Sequence, residues 1–119
     1  EQDAVAALLA DACRVMTPGG RIIVSTPDYG GVWPAVEWLL NRLGDVSYED
    51  QHINKFTKQR LRETLAAAGF QNVDVRSYLF AAPFAAALGW GFADLIEKLE
   101  PAFIVDRFGL LLIATADAP

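Results

Sequence analysis

Two strand-forming segments of opposite pattern set the strongest limit on what this chain can build. Residues 108–115 read Phe-Gly-Leu-Leu-Leu-Ile-Ala-Thr, a nearly unbroken apolar run. A strand of that kind must be covered on both faces and so belongs inside a sheet. Between residues 72 and 80, by contrast, Val73, Val75 and Leu79 alternate with Asp74, Arg76 and Tyr78. That period of two marks a strand with one wetter face, which suits a sheet edge. A third strand is expected over residues 21–26, where Ile22, Ile23 and Val24 form a short burst covered on both faces and Pro27 ends it. Helices lie between the strands, which ordinarily makes neighbours parallel. An edge-like second strand and a buried third strand together place the last strand between the first two.

Helical periodicity fills the intervals. Val5, Leu8, Leu9, Ala12, Val15 and Met16 make one stripe, stopped by Pro18-Gly19-Gly20. Val32, Val36, Leu39, Leu40 and Leu43 line a second helix closed by Gly44, with Trp33 and Trp38 off the stripe. A polar loop, residues 45–55, carries Asp45, Glu49 and Asp50 and, near its end, His52, the only histidine. Thr57 reads as the N-cap of a third helix, with Phe56 and Leu61 placed as a hydrophobic staple, Leu61, Leu65 and Ala68 buried, and Gly69 ending it. Phe92, Leu95, Ile96 and Leu99 define a fourth helix, ended by Pro101. The expected order is α, β, α, α, β, α, β in one α/β domain.

Composition narrows the function classes. The 119 residues carry a formal net charge of -5, and their ten Lys and Arg are dispersed, so no basic stripe offers itself to nucleic acid. Cys13 is the single cysteine, which excludes an internal disulfide and fits a reducing, cytoplasmic setting. Residues 79–93 lack charge but hold Pro83, Gly89 and Gly91 and fall short of the roughly 20 residues that span a bilayer. One His and one Cys make no metal-ligand set, and no Ser-His-Asp spacing suggests a hydrolase.

Residues 9–27, LADACRVMTPGGRIIVSTP, and residues 52–70, HINKFTKQRLRETLAAAGF, occur in the order of two segments of a known family. The first is similar to the helix, Pro-Gly-Gly turn and fifth strand of class I S-adenosylmethionine-dependent methyltransferases. The second resembles the family segment that precedes the sixth strand. The resemblance implies a partial Rossmann-like methyltransferase fold: a three-stranded sheet with flanking helices, its last strand antiparallel and inserted between the other two. It also implies that residues 1–119 correspond to the C-terminal half of a methyltransferase domain. The first four strands, the glycine-rich cofactor loop and the acidic residue that grips the ribose have no counterpart here. Gly89-Trp90-Gly91 does not replace that loop, because Asp94 stands where a third glycine belongs and no predicted strand precedes it. Weak or absent binding of S-adenosylmethionine is therefore expected of this chain, with no cofactor-binding residue assigned.

Methyl transfer from a sulfonium is an in-line displacement, so a protein mainly aligns the acceptor, excludes water and where needed removes a proton. Ligands of open α/β sheets gather at the carboxyl ends of parallel strands, which puts Pro27, Asp28 and Tyr29 at the rim of a small-molecule acceptor site. Tyr29 and Trp33 are candidates to line an aromatic pocket; packing of the loop against the sheet explains them as well. Asp28 is a candidate hydrogen-bond acceptor for substrate or an ordinary turn residue. His52 is the candidate general base, its ordinary pKa of about 6.5 suiting proton transfer near neutrality, or else a residue that fixes the approach to the third helix. Two other readings stand beside this one. The chain is a non-catalytic α/β module that binds an apolar ligand or forms a homo-oligomer through an exposed sheet edge, or a piece of a nicotinamide-dependent reductase, whose sheets usually end parallel.

Overall fold

The structure, a computed structural model, describes residues 2–43 and 54–119. Strand β1 (Arg21–Pro27) and strand β2 (Gln71–Tyr78) flank strand β3 (Leu111–Asp117) in the order β1-β3-β2. β3 is antiparallel to both, so β1 and β2 run parallel to each other. The insertion expected from the two patterns and the reversal implied by the family resemblance are both present. In register, Asp117 lies opposite both Arg21 and Gln71, and Leu111 lies opposite both Pro27 and Tyr78.

One face of this sheet holds the core. Helix α1 (Gln2–Val15) and helix α3 (Lys58–Ala67) cover it, bringing Leu9, Leu61 and Leu65 onto Val75, Leu112, Ala114 and Ala116. Leu61, Leu65 and Leu112 are almost entirely out of water, each worth about 1.5–3 kcal/mol of burial. α3 starts and stops as its residues dictate. Thr57 is extended and its hydroxyl accepts the Arg60 N–H at 3.3 Å, while Phe56 and Leu61 both join the core cluster. Gly69 adopts φ +100°, a conformation open to glycine, and releases the chain into buried Phe70.

Several expectations are corrected. β1 is covered on one face only: Ile22 and Val24 pack on the core while Ile23 is 69% exposed, because the described helices reach a single side of the sheet. Phe108 does not belong to the last strand. It ends a helix, α6 (Ala102–Phe108), and Gly109 carries the chain into β3. β2 stops at Tyr78 since Leu79 turns to φ +58°, which breaks the pleat.

Two apolar stripes face outward. Helix α2 (Trp33–Leu43) exposes Leu39 and Leu40 and buries Glu37 instead. In helix α5 (Trp90–Leu99), Phe92, Leu95 and Leu99 are exposed and Ala93 is the buried residue. Small alanine lets α5 approach helix α4 (Ala82–Ala85), itself an element the periodicity did not show, along with α6 and the 3₁₀ turn Ala86–Leu88. The carboxylate of Glu100 fastens this corner: Oε1 accepts the N–H of Ala81 at 2.6 Å and of Ala82 at 2.7 Å, and Oε2 accepts that of Phe80 at 3.1 Å.

Candidate functional site

β1 and β2, being parallel, deliver their carboxyl ends to the same edge of the molecule, and β3 begins there. Asp28 follows β1 directly. Its backbone N–H donates to Leu110 O at 2.9 Å, which continues the pairing with β3 by one residue. Its side chain is 2% exposed: Oδ1 accepts the Gly30 N–H at 2.9 Å and Oδ2 accepts the Ser77 hydroxyl at 2.6 Å. Both carboxylate oxygens are thus engaged inside the chain. The loop is further fixed where Gly31 meets Gly109, since a Cβ on Gly31 would lie 2.2 Å from Gly109 O.

Tyr29 points away into a different environment. Its N–H donates to Phe56 O at 2.9 Å and its hydroxyl donates to Glu37 Oε1 at 2.8 Å. Lys55 Nζ stands 5.6 Å from the centre of the Tyr29 ring, a cation–π geometry. A hollow of about 380 Å³ opens among Tyr29, Pro34, Glu37, Trp38, Asn41 and Lys55. A second, of about 250 Å³, lies by Asp28, Gly30, Thr57, Lys58, Asp106 and Arg107. Lys58 donates to Asp106 there, tying α3 to α6.

Of the residues singled out in the sequence, Pro27, Asp28, Tyr29 and Trp33 lie on one continuous segment at this edge, Pro27 and Trp33 half-buried. His52 lies outside the described residues. Sequence reasoning missed Ser77 and Glu37. Ser77 had a signal, because it occupies the apolar phase of the alternation Val73, Val75, Ser77, Leu79, where a hydroxyl must find a buried partner. Glu37 had a weaker one: it and Asn41 are four apart, so both face the Tyr29 hollow. A phenol held by a buried carboxylate, beside an ammonium, can orient a polar acceptor without providing a metal or a nucleophile. Among the described residues no group of three or more His, Cys, Asp or Glu could hold a metal ion.

The family model for a methyltransferase domain matches residues 2–75. The chain belongs to the methyltransferase-domain family. A solved structure of a SAM dependent methyltransferase from Archaeoglobus fulgidus aligns with 98% of this chain at 12% identity and a TM-score of 0.58. That likeness is one of fold, and it accounts for the reversed strand between two parallel ones. This methyltransferase chain covers 53% of that protein, about half its length. No curated protein matches it. No helix among its described residues is long and apolar enough to cross a membrane.

Neither Asp28 nor the Gly89–Gly91 turn of the methyltransferase domain fits S-adenosylmethionine. Both oxygens of Asp28 are engaged within the chain, so this carboxylate is not free to hold a ribose. Gly89 and Gly91 flank a Trp90 that is 84% exposed, and they follow a 3₁₀ turn rather than a strand, so their backbone forms no cradle.

Proposed function

We propose that this chain is the acceptor-facing, C-terminal half of an S-adenosylmethionine-dependent methyltransferase that acts on a small molecule. The observation that carries this reading is the convergence of β1 and β2 on the Asp28–Ser77 bond, at the strand ends where open α/β sheets take their ligands. The sulfonium cofactor supplies the methyl group. In this reading Asp28 is a positioning residue, which holds the loop that carries Pro27, Tyr29 and Trp33. Those three line the acceptor side, Tyr29 being steered by Glu37. His52 takes the acceptor's proton where one must leave. The exposed face around Ile23 and the outer edge of β1 are where the cofactor-binding half attaches. The lone cysteine supports a reducing, cytoplasmic setting.

The test is methyl transfer from labelled S-adenosylmethionine to a panel of oxygen, nitrogen and carbon acceptors. It is run with the 119-residue chain and with the same chain joined to whatever its gene encodes ahead of Glu1. Label in product only from the joined protein, with weak or absent cofactor binding by the chain alone in calorimetry, is the expected result. No transfer by either form overturns the reading.

The exposed Ile23, Leu39 and Trp38 favour a second reading, a module that pairs with itself through the β1 edge. Sedimentation would then show a concentration-dependent dimer, and an Ile23→Lys substitution would abolish it.

A further inference from the structure

Beyond β2, the chain builds a groove that the methyltransferase chemistry above does not use. It has a volume of about 410 Å³, within the roughly 300–1,000 Å³ of small-molecule sites, and lies between α4 and α5. Buried Ala82 and Ala93 form its floor, and Leu79 and Ala86 add alkyl walls. Leu79 holds φ +58°, a conformation that leucine rarely adopts and that concentrates at ligand sites. Since Leu79 is the residue after Tyr78, the groove opens from the carboxyl end of β2, the same edge as the Asp28–Ser77 bond.

One face of α5 supplies the rest. Trp90, Ala93, Asp94 and Glu97 recur at the helical spacing i, i+3, i+4, i+7, and all four line the groove. The Trp90 ring is exposed. Asp94 is occupied by Lys98, whose ammonium donates to it at 2.6 Å. Glu97 makes no hydrogen bond among the described residues; the adjacent Lys98 feels its charge but is held on Asp94 and does not line the groove. An apolar trough with an open indole face and a carboxylate that no cation hydrogen-bonds complements a molecule with an apolar body and an ammonium group.

We infer that this groove binds an apolar amine, with its hydrocarbon on the alanine floor against Trp90 and its ammonium at Glu97. As the subsite that selects the acceptor it rests on the methyltransferase reading; as a binding site it does not. The ammonium serves recognition, and the atom that receives the methyl group is left open by it.

Phenylbutylamine and its neutral counterpart phenylbutanol are titrated into the 119-residue chain without cofactor, following the Trp90 indole N–H resonance, assigned by its loss in Trp90→Phe. The amine should bind about three- to tenfold more tightly than the alcohol, the range of an exposed carboxylate and an indole face acting together. Glu97→Gln should erase that preference while leaving the alcohol's affinity in place. Equal affinities, a preference that survives Glu97→Gln, or no binding of either compound overturns the inference. A joined protein that keeps the amine preference but transfers no methyl group overturns the methyltransferase reading and leaves the groove as an amine site.

Discussion

The Ser77 hydroxyl donates to Asp28 Oδ2 at 2.6 Å, joining the ends of two strands 49 residues apart in sequence. Neither end touches the other through backbone, because β3 lies between them. Removing the hydroxyl leaves a carboxylate oxygen buried without its donor. Ser77→Ala should therefore cost about 1–3 kcal/mol, more than an exposed serine would. Urea unfolding measures it, and a loss below about 0.5 kcal/mol would mean that the bond does not hold the loop.

Gly31 should not accept even one methyl group. Its φ is not left-handed, so any penalty is steric, and the obstacle is the backbone oxygen of Gly109 at 2.2 Å from the added carbon. Gly31→Ala should destabilise by roughly 1–3 kcal/mol and push apart the β1 loop and the start of β3. Thermal melting gives the first effect, and amide shifts at Asp28 and Leu110 report the second.

Glu100 closes the amino end of α4 through three backbone amides. Glu100→Ala should cost about 1–2 kcal/mol and speed hydrogen exchange at Phe80, Ala81 and Ala82 while sparing Leu61 and Leu65. Glu100→Gln keeps one acceptor oxygen and should fall between. Uniform acceleration across the chain would instead indicate global loosening.

Asp117 titrates below its ordinary value of 3.8, first because Arg21 donates to it, then because Asn72 does. A carboxyl lowered on folding stabilises the folded state above its unfolded pKa, and that contribution is lost as pH falls through the folded one. Its share of acid sensitivity thus lies below about pH 4. Carboxyl NMR should show Asp117 protonating at lower pH than an exposed aspartate, and Arg21→Ala should raise its midpoint. An unchanged midpoint in that variant would remove Arg21 as the main cause.

Local pattern carried the sheet. The alternation in residues 72–80 and the apolar run before Thr115 were enough to place the last strand in the middle, although β3 is fully buried on one face only and half-buried on the other. Thr57 and Gly69 marked the ends of α3 for an equally local reason, since a cap is a bond between neighbours in sequence. The stripes of α2 and α5 misled: periodicity tells which residues share a face but not whether a neighbour stands opposite it. α5 turns Ala93 inward for close approach and leaves Phe92 and Leu95 outside.

The site divides the same way. Pro27, Asp28 and Tyr29 could be placed at a strand end from sequence alone, because the strand ends where proline ends it. That Asp28 faces Ser77, and Tyr29 faces Glu37, was decided only when parallel strands brought distant segments to one edge and the α2 helix swung a carboxylate under the loop. A chain writes its periods and caps residue by residue; which buried polar groups become partners depends on distances that exist only after packing.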